Sequence, residues 1–185
     1  MINVFAKKKV SLKTQALATL AALICAVALP QIFHLMGSLS GLGTKLGEAF
    51  LPMHLPILFV GIIAGPVAGA VSGALAPMVS FLLTGMPGEA MLPFMMIELC
   101  TYGLACGLMR NAKKPTVLKI LAAQIAGRAV RALCIVFAIF ALGNTALNVA
   151  TIWNSILTGL FGIALQLVLV PLLVYRIDNL KKNEG

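Results

Sequence analysis

Glu98, Tyr102, Gln124, Arg128 and Arg131 stand out as polar or ionisable side chains, each inside an almost wholly apolar stretch. Glu98 and Tyr102 are one helical turn apart. Gln124, Arg128 and Arg131 recur at i, i+4 and i+7 and therefore share one helix face. A charge in hydrocarbon costs about 2.5–3.5 kcal/mol on insertion scales, so such groups pair or bind something. A Glu–Arg pair that only ties two helices together would use one Arg. The other is a surplus cation, and a water-excluded guanidinium favours a planar anion gripped by two parallel hydrogen bonds. The chemistry indicated is recognition of an anionic group.

Enzyme chemistry has no visible constellation. There is no G-x-x-x-x-G-K-[ST], and "GSLSGLGTK" (37–45) has the wrong spacing and no flanking strand, so it reads as a flexible loop. H-E-x-x-H and G-x-S-x-G do not occur, and His34 and His54 are isolated. Cys25, Cys100, Cys106 and Cys134 are scattered through apolar segments without C-x-x-C spacing, which reads as small buried hydrophobes and predicts neither a disulfide nor a metal site.

The elements that carry these residues are set by composition. Of 185 residues, 61% are hydrophobic and 10% charged, with a mean hydropathy of +1.04. Soluble domains are typically about 45–50% apolar and about 25% charged, so the chain is an integral membrane protein. Its stretch "FLPMHLPILFVGIIAGPVAGAVSGALAPMVSFLLTGMP" (50–87) mixes Pro and Gly into an apolar run, which membrane helices tolerate where neighbours satisfy the freed backbone groups. A spanning helix needs about 20 apolar residues. Six candidates follow, at 14–36, 50–64, 67–85, 91–109, 117–142 and 152–175, in one membrane domain covering 1–185. Gly65-Pro66 divides the second from the third, since Pro disfavours helical geometry in the residue before it.

The net charge of +9 is placed at the ends of these runs. Lys7, Lys8, Lys9 and Lys13 precede the first span, Arg110, Lys113, Lys114 and Lys119 lie at the fourth connection, and Arg176, Lys181 and Lys182 follow the sixth. All fall on one side only if the number of spans between them is even. Six spans with both termini and this connection in the cytoplasm satisfy the positive-inside rule. The first span is not read as a cleaved signal peptide, because its apolar run continues past Pro30 to Met36, beyond the 7–15 residues of such a core. At depths of 1.5 Å per residue, Glu98 and Arg131 come level in the outer half and Arg128 lies near the midplane. Ala18, Ala22 and Ala26 form an A-x-x-x-A-x-x-x-A face, and Gly65, Gly69 and Gly73 a similar ridge. Either suits internal packing or a close partner helix.

The stretch 50–87, followed by "MMIELCTYGLACGLM" and "QIAGR", resembles the S components of energy-coupling factor (ECF) transporters over about residues 14–175. The resemblance implies an all-α, six-helix subunit in the bacterial cytoplasmic membrane that captures a vitamin or related micronutrient from outside. It implies no cofactor on this chain, ATP being used by separate ATPase subunits, and a membrane coupling subunit that docks on Ala18, Ala22 and Ala26. Substrate would bind among the later helices and outer loops. Glu98, Tyr102, Arg128 and Arg131 would then line the site, with His54 at the mouth of the second span and Trp153 and Asn154 at the outer end of the sixth. Two other classes compete: a self-sufficient facilitator or channel, and a membrane scaffold in which the Arg stripe only packs.

Overall fold

Ser11 opens the first helix by accepting a hydrogen bond on its hydroxyl from the Thr14 amide (3.2 Å), the capping that spares a helix start an unsatisfied donor. From there the computed structural model, which describes residues 10–183, is helical in every element among the described residues. Lys7, Lys8 and Lys9 lie outside them. The helices are α1 (Leu12–Leu39), α2 (Lys45–Phe50), α3 (His54–Ala64), α4 (Pro66–Thr84), α5 (Leu92–Leu108), α6 (Thr116–Phe140), α7 (Ala150–Thr158) and α8 (Leu160–Asn183). Among the described residues, six stretches are long and apolar enough to span a bilayer: α1, α2 with α3, α4, α5 with the turn after it, α6 and α8.

Two expected spans are broken. The span expected at 50–64 is α3 alone, with α2 leading into it, because Pro52 disfavours the right-handed helical region at Leu51, which adopts φ 48°, ψ 50°. The span expected at 152–175 divides at Gly159 into α7 and α8. The division expected at Gly65-Pro66 is present: Gly65 takes φ 108°, a value suited to glycine, and Pro66 begins α4.

Successive spans run in opposite directions. Lys119 Nζ donates to the Arg110 carbonyl (2.9 Å), and Asp178 exerts its field on Arg110, so the α5–α6 connection and the end of α8 share one end of the bundle. The α2–α3 joint and α7 lie toward the other end. Large apolar residues such as Leu17, Leu20, Ile24, Leu82, Leu133 and Val168 face outward, as lipid requires of a bundle with little hydrophobic drive between helices.

The centre is α5, packed between α4 and α6. A Cβ on Gly69 would collide with the Gly103 carbonyl, one on Gly103 with the Gly69 backbone, and one on Gly73 with the Leu99 carbonyl. The small-residue ridge of α4 is thus an internal seam. The alanines of α1, expected to suit either internal packing or a partner helix, pack inside the chain. Ala22 is 6% exposed and packs with Val60, Ala64 and Ala68, Ala26 is 0% exposed among Met53, Ile57, Ala76 and Leu99, and Ala18 lies against the Ala22 group. Their methyls are small enough for α1 to approach α3 and α4 closely, with Ala18 only partly buried.

Candidate anion-binding site

Glu98 on α5 is 0% exposed and receives three neighbours. Tyr102, one turn along the same helix, donates its hydroxyl to Oε1 (2.8 Å). Arg131 on α6 donates from Nη1 to Oε2 (2.8 Å), and Arg128, one turn away, places Nε 3.2 Å from Oε1. The pairing of Glu98 with Arg131 agrees with the depths read from the sequence. That Arg128 also reaches the carboxylate differs from a free cation near the midplane: a turn of helix is 5.4 Å, and the long Arg side chain spans it. One carboxylate still faces two guanidinium groups.

Gly127 makes this possible. A Cβ there would strike the Tyr102 ring, so the glycine of "QIAGR" lets the ring lie against α6 with its hydroxyl aimed at Glu98. His54, at the start of α3, lies over the same ring with centroids 5.4 Å apart. It is buried, and neither ring nitrogen has a hydrogen-bond partner. Arg128 Nη2, Arg131 Nε and Gln124 Oε1 are also buried without partners. Buried polar groups are ordinarily satisfied, so unsatisfied ones gathered in one place mark either strain or a missing ligand.

The two broken spans converge on Arg128. Its Nη1 donates to the Ser155 carbonyl of α7 (3.1 Å), with the Ser155 hydroxyl at 3.5 Å. Gly159, at the α7–α8 break, is close enough that a Cβ there would stand 3.1 Å from Nη2 and 2.8 Å from the Leu51 side chain. Gln124 donates to the Gln166 side-chain carbonyl of α8 (2.9 Å), and Gln166 donates to the Leu51 carbonyl (3.2 Å), pinning the left-handed residue of the α2–α3 joint. Such discontinuous spans are where transporters commonly build their binding sites.

Five of the seven residues expected to line the site, Glu98, Tyr102, Arg128, Arg131 and His54, are therefore brought together. Trp153 and Asn154 are not. Trp153 is 65% exposed and Asn154 is also outward, because α7 is a separate helix whose inward residue is Ser155, and positions one or two apart on a helix do not share a face. Ser155, Gln166 and Gly127 were not expected. Gln166 carried the only usable signal, a lone amide in an apolar span. A mostly apolar groove of about 890 Å³, lined by Phe94, Ile97, Leu133, Phe137 and others with Glu89 among them, lies between the start of α5 and the end of α6 and does not include Glu98, Arg128 or Arg131.

Residues 11–174 match the family model described as ECF transporter, substrate-specific component. No curated protein and no solved structure matches the chain. The chain belongs to this family and is a multi-pass membrane protein, the substrate-specific subunit of an ECF transporter. Membership sets aside the self-sufficient facilitator and the scaffold. It implies association with coupling and ATPase subunits and a role as a transporter subunit.

Proposed function

We propose that the chain captures a vitamin or related micronutrient from outside the cell and holds it by an anionic group directed at Arg128. The observation that carries this reading is the charge imbalance: one carboxylate, Glu98, stands against two guanidinium groups in a buried cluster with unpartnered donors. One Arg would suffice to neutralise Glu98, and the second brings a surplus positive charge. Tyr102 and His54 supply the wall beside it, Tyr102 with its hydroxyl committed to Glu98. The chain binds no cofactor of its own. ATP is hydrolysed by its partners, whose coupling subunit drives the substrate-loaded chain to topple in the membrane and release its cargo inside.

In this reading the end carrying Arg110, Lys113 and Lys114 is cytoplasmic, as the positive-inside rule requires, and the membrane is a bacterial cytoplasmic membrane. Affinity purification from its native membrane brings down a membrane coupling subunit and ATPase subunits; recovery of the chain without them contradicts the role. In a cysteine-free background, Leu42→Cys reacts with an impermeant thiol reagent in intact cells and Lys113→Cys does not; the reverse pattern contradicts the orientation.

A further inference from the structure

Arg128 presents two edges, and only one is available. Its Nε faces Glu98, while Nη1 holds the Ser155 main-chain carbonyl and Nη2 has no partner. Nη2 is buried against the α7–α8 break, where a Cβ on Gly159 would stand 3.1 Å from it and 3.0 Å from the Ser155 carbonyl, so a ligand reaches it only as that carbonyl moves away. Two parallel hydrogen bonds from one guanidinium to a carboxylate need two adjacent N–H groups, here Nη1 and Nη2. A ligand taking both displaces a neutral carbonyl and replaces it with a charge.

The size of that charge follows from the groups facing the cluster. Glu98 contributes one negative charge, Arg128 and Arg131 two positive, and Tyr102, Ser155, Gln124 and Gln166 none; His54, a buried imidazole, is counted as neutral. The other acidic residues among those described lie at helix ends. Glu48 accepts from the Thr44 hydroxyl, Glu89 precedes α5, and Asp178 sits near Arg110. The cluster carries one uncompensated positive charge. A carboxylate cancels it, whereas a phosphate monoester, at about −1.5 to −2, overshoots and a neutral group leaves it standing.

Resting on the capture reading above, we propose that the ligand is a monocarboxylate received end-on by Nη1 and Nη2 of Arg128 in place of the Ser155 carbonyl. The site therefore selects a single negative charge, and loading frees α7 from α6.

The test is thermal melting of the purified full chain in lipid nanodiscs against vitamin-sized monocarboxylic acids, each matched to the carboxamide and the phosphate monoester of the same skeleton. At least one acid raises the melting temperature, and its two counterparts need at least tenfold higher concentration for the same shift. Arg128→Gln loses the response yet melts, when empty, no lower than wild type, because Glu98 keeps Arg131. Arg128→Lys retains the preference for acids with weaker binding. A carboxamide or phosphate monoester that outbinds its acid overturns the monocarboxylate and leaves the capture site standing. No response to any acid overturns the proposal, and if Arg128→Gln then also melts well below wild type, the cluster is a structural tie and the site reading falls with it.

Discussion

α5 packs two neighbours by opposite means. Toward α4, Leu99 and Gly103 meet Gly69 and Gly73 so closely that neither helix has room for another carbon atom. Toward α6, one position away on the same helix, Glu98 and Tyr102 meet two Arg in a cluster that leaves several polar atoms unpartnered. In a bilayer, where apolar burial gives little drive between helices, backbone contact is what holds spans together. The α4–α5 seam has that and nothing to spare. The α5–α6 contact carries buried charge, which is weak support for stability. The two faces contrast a close-packed half with a half that holds buried charge and unpartnered polar atoms.

Changing the counter-charge should separate them most sharply. Glu98→Ala leaves two buried guanidinium groups without an anion and is expected to lower stability by about 3–5 kcal/mol, the cost of breaking a buried pair from one side. Chemical denaturation in detergent measures it, and a loss below about 1 kcal/mol would mean that water already solvates the cluster. On the other face, Gly103→Leu should cost about 3 kcal/mol or more, since the obstacle is the Gly69 backbone and not a side chain that can turn away. If Gly103→Leu yields a folded monomer of unchanged melting temperature, the seam is not the close-packed half.

Ala26→Leu tests whether the stripe on α1 belongs to the same close-packed half. Overpacking against Met53, Ile57 and Leu99 predicts a loss of about 1–3 kcal/mol in the isolated chain. Unchanged stability with lost recovery of the coupling subunit would instead assign α1's alanines to a docking face. Trp153→Ala is the smallest change. Its side chain is outside the cluster, and both stability and ligand binding should move by less than about 0.5 kcal/mol.

What could be read from the residues, and what could not, follows the same division. Hydropathy made six spans legible, and Gly65-Pro66 marked the boundary where the α3–α4 break occurs, because both signals are local. The breaks at Leu51 and Gly159 were not legible. Leu51 is held by Gln166, 115 positions away, and the rotation of α7 is released from that of α8 by the break at Gly159, which no local signal marks. That rotation is why Trp153 and Asn154 were misplaced and Ser155 missed. The level of Glu98 with Arg131 followed from counting rise along two helices, whereas the second contact, to Arg128, depends on a side-chain rotamer that no spacing specifies. Ala18, Ala22 and Ala26 were recognisable as a close-contact face. Which helix they would contact was a tertiary matter.

Whether Arg128 serves a ligand is decided by native mass spectrometry of the purified chain beside its melting temperature without ligand. Wild type should retain a small monoanionic molecule that Arg128→Ala loses, an affinity loss of about 2–4 kcal/mol for removing one side of a buried charged hydrogen bond. The empty variant should melt close to wild type, because one Arg and one Glu remain. An Arg128→Ala chain that retains the same molecule but melts much earlier would contradict the account.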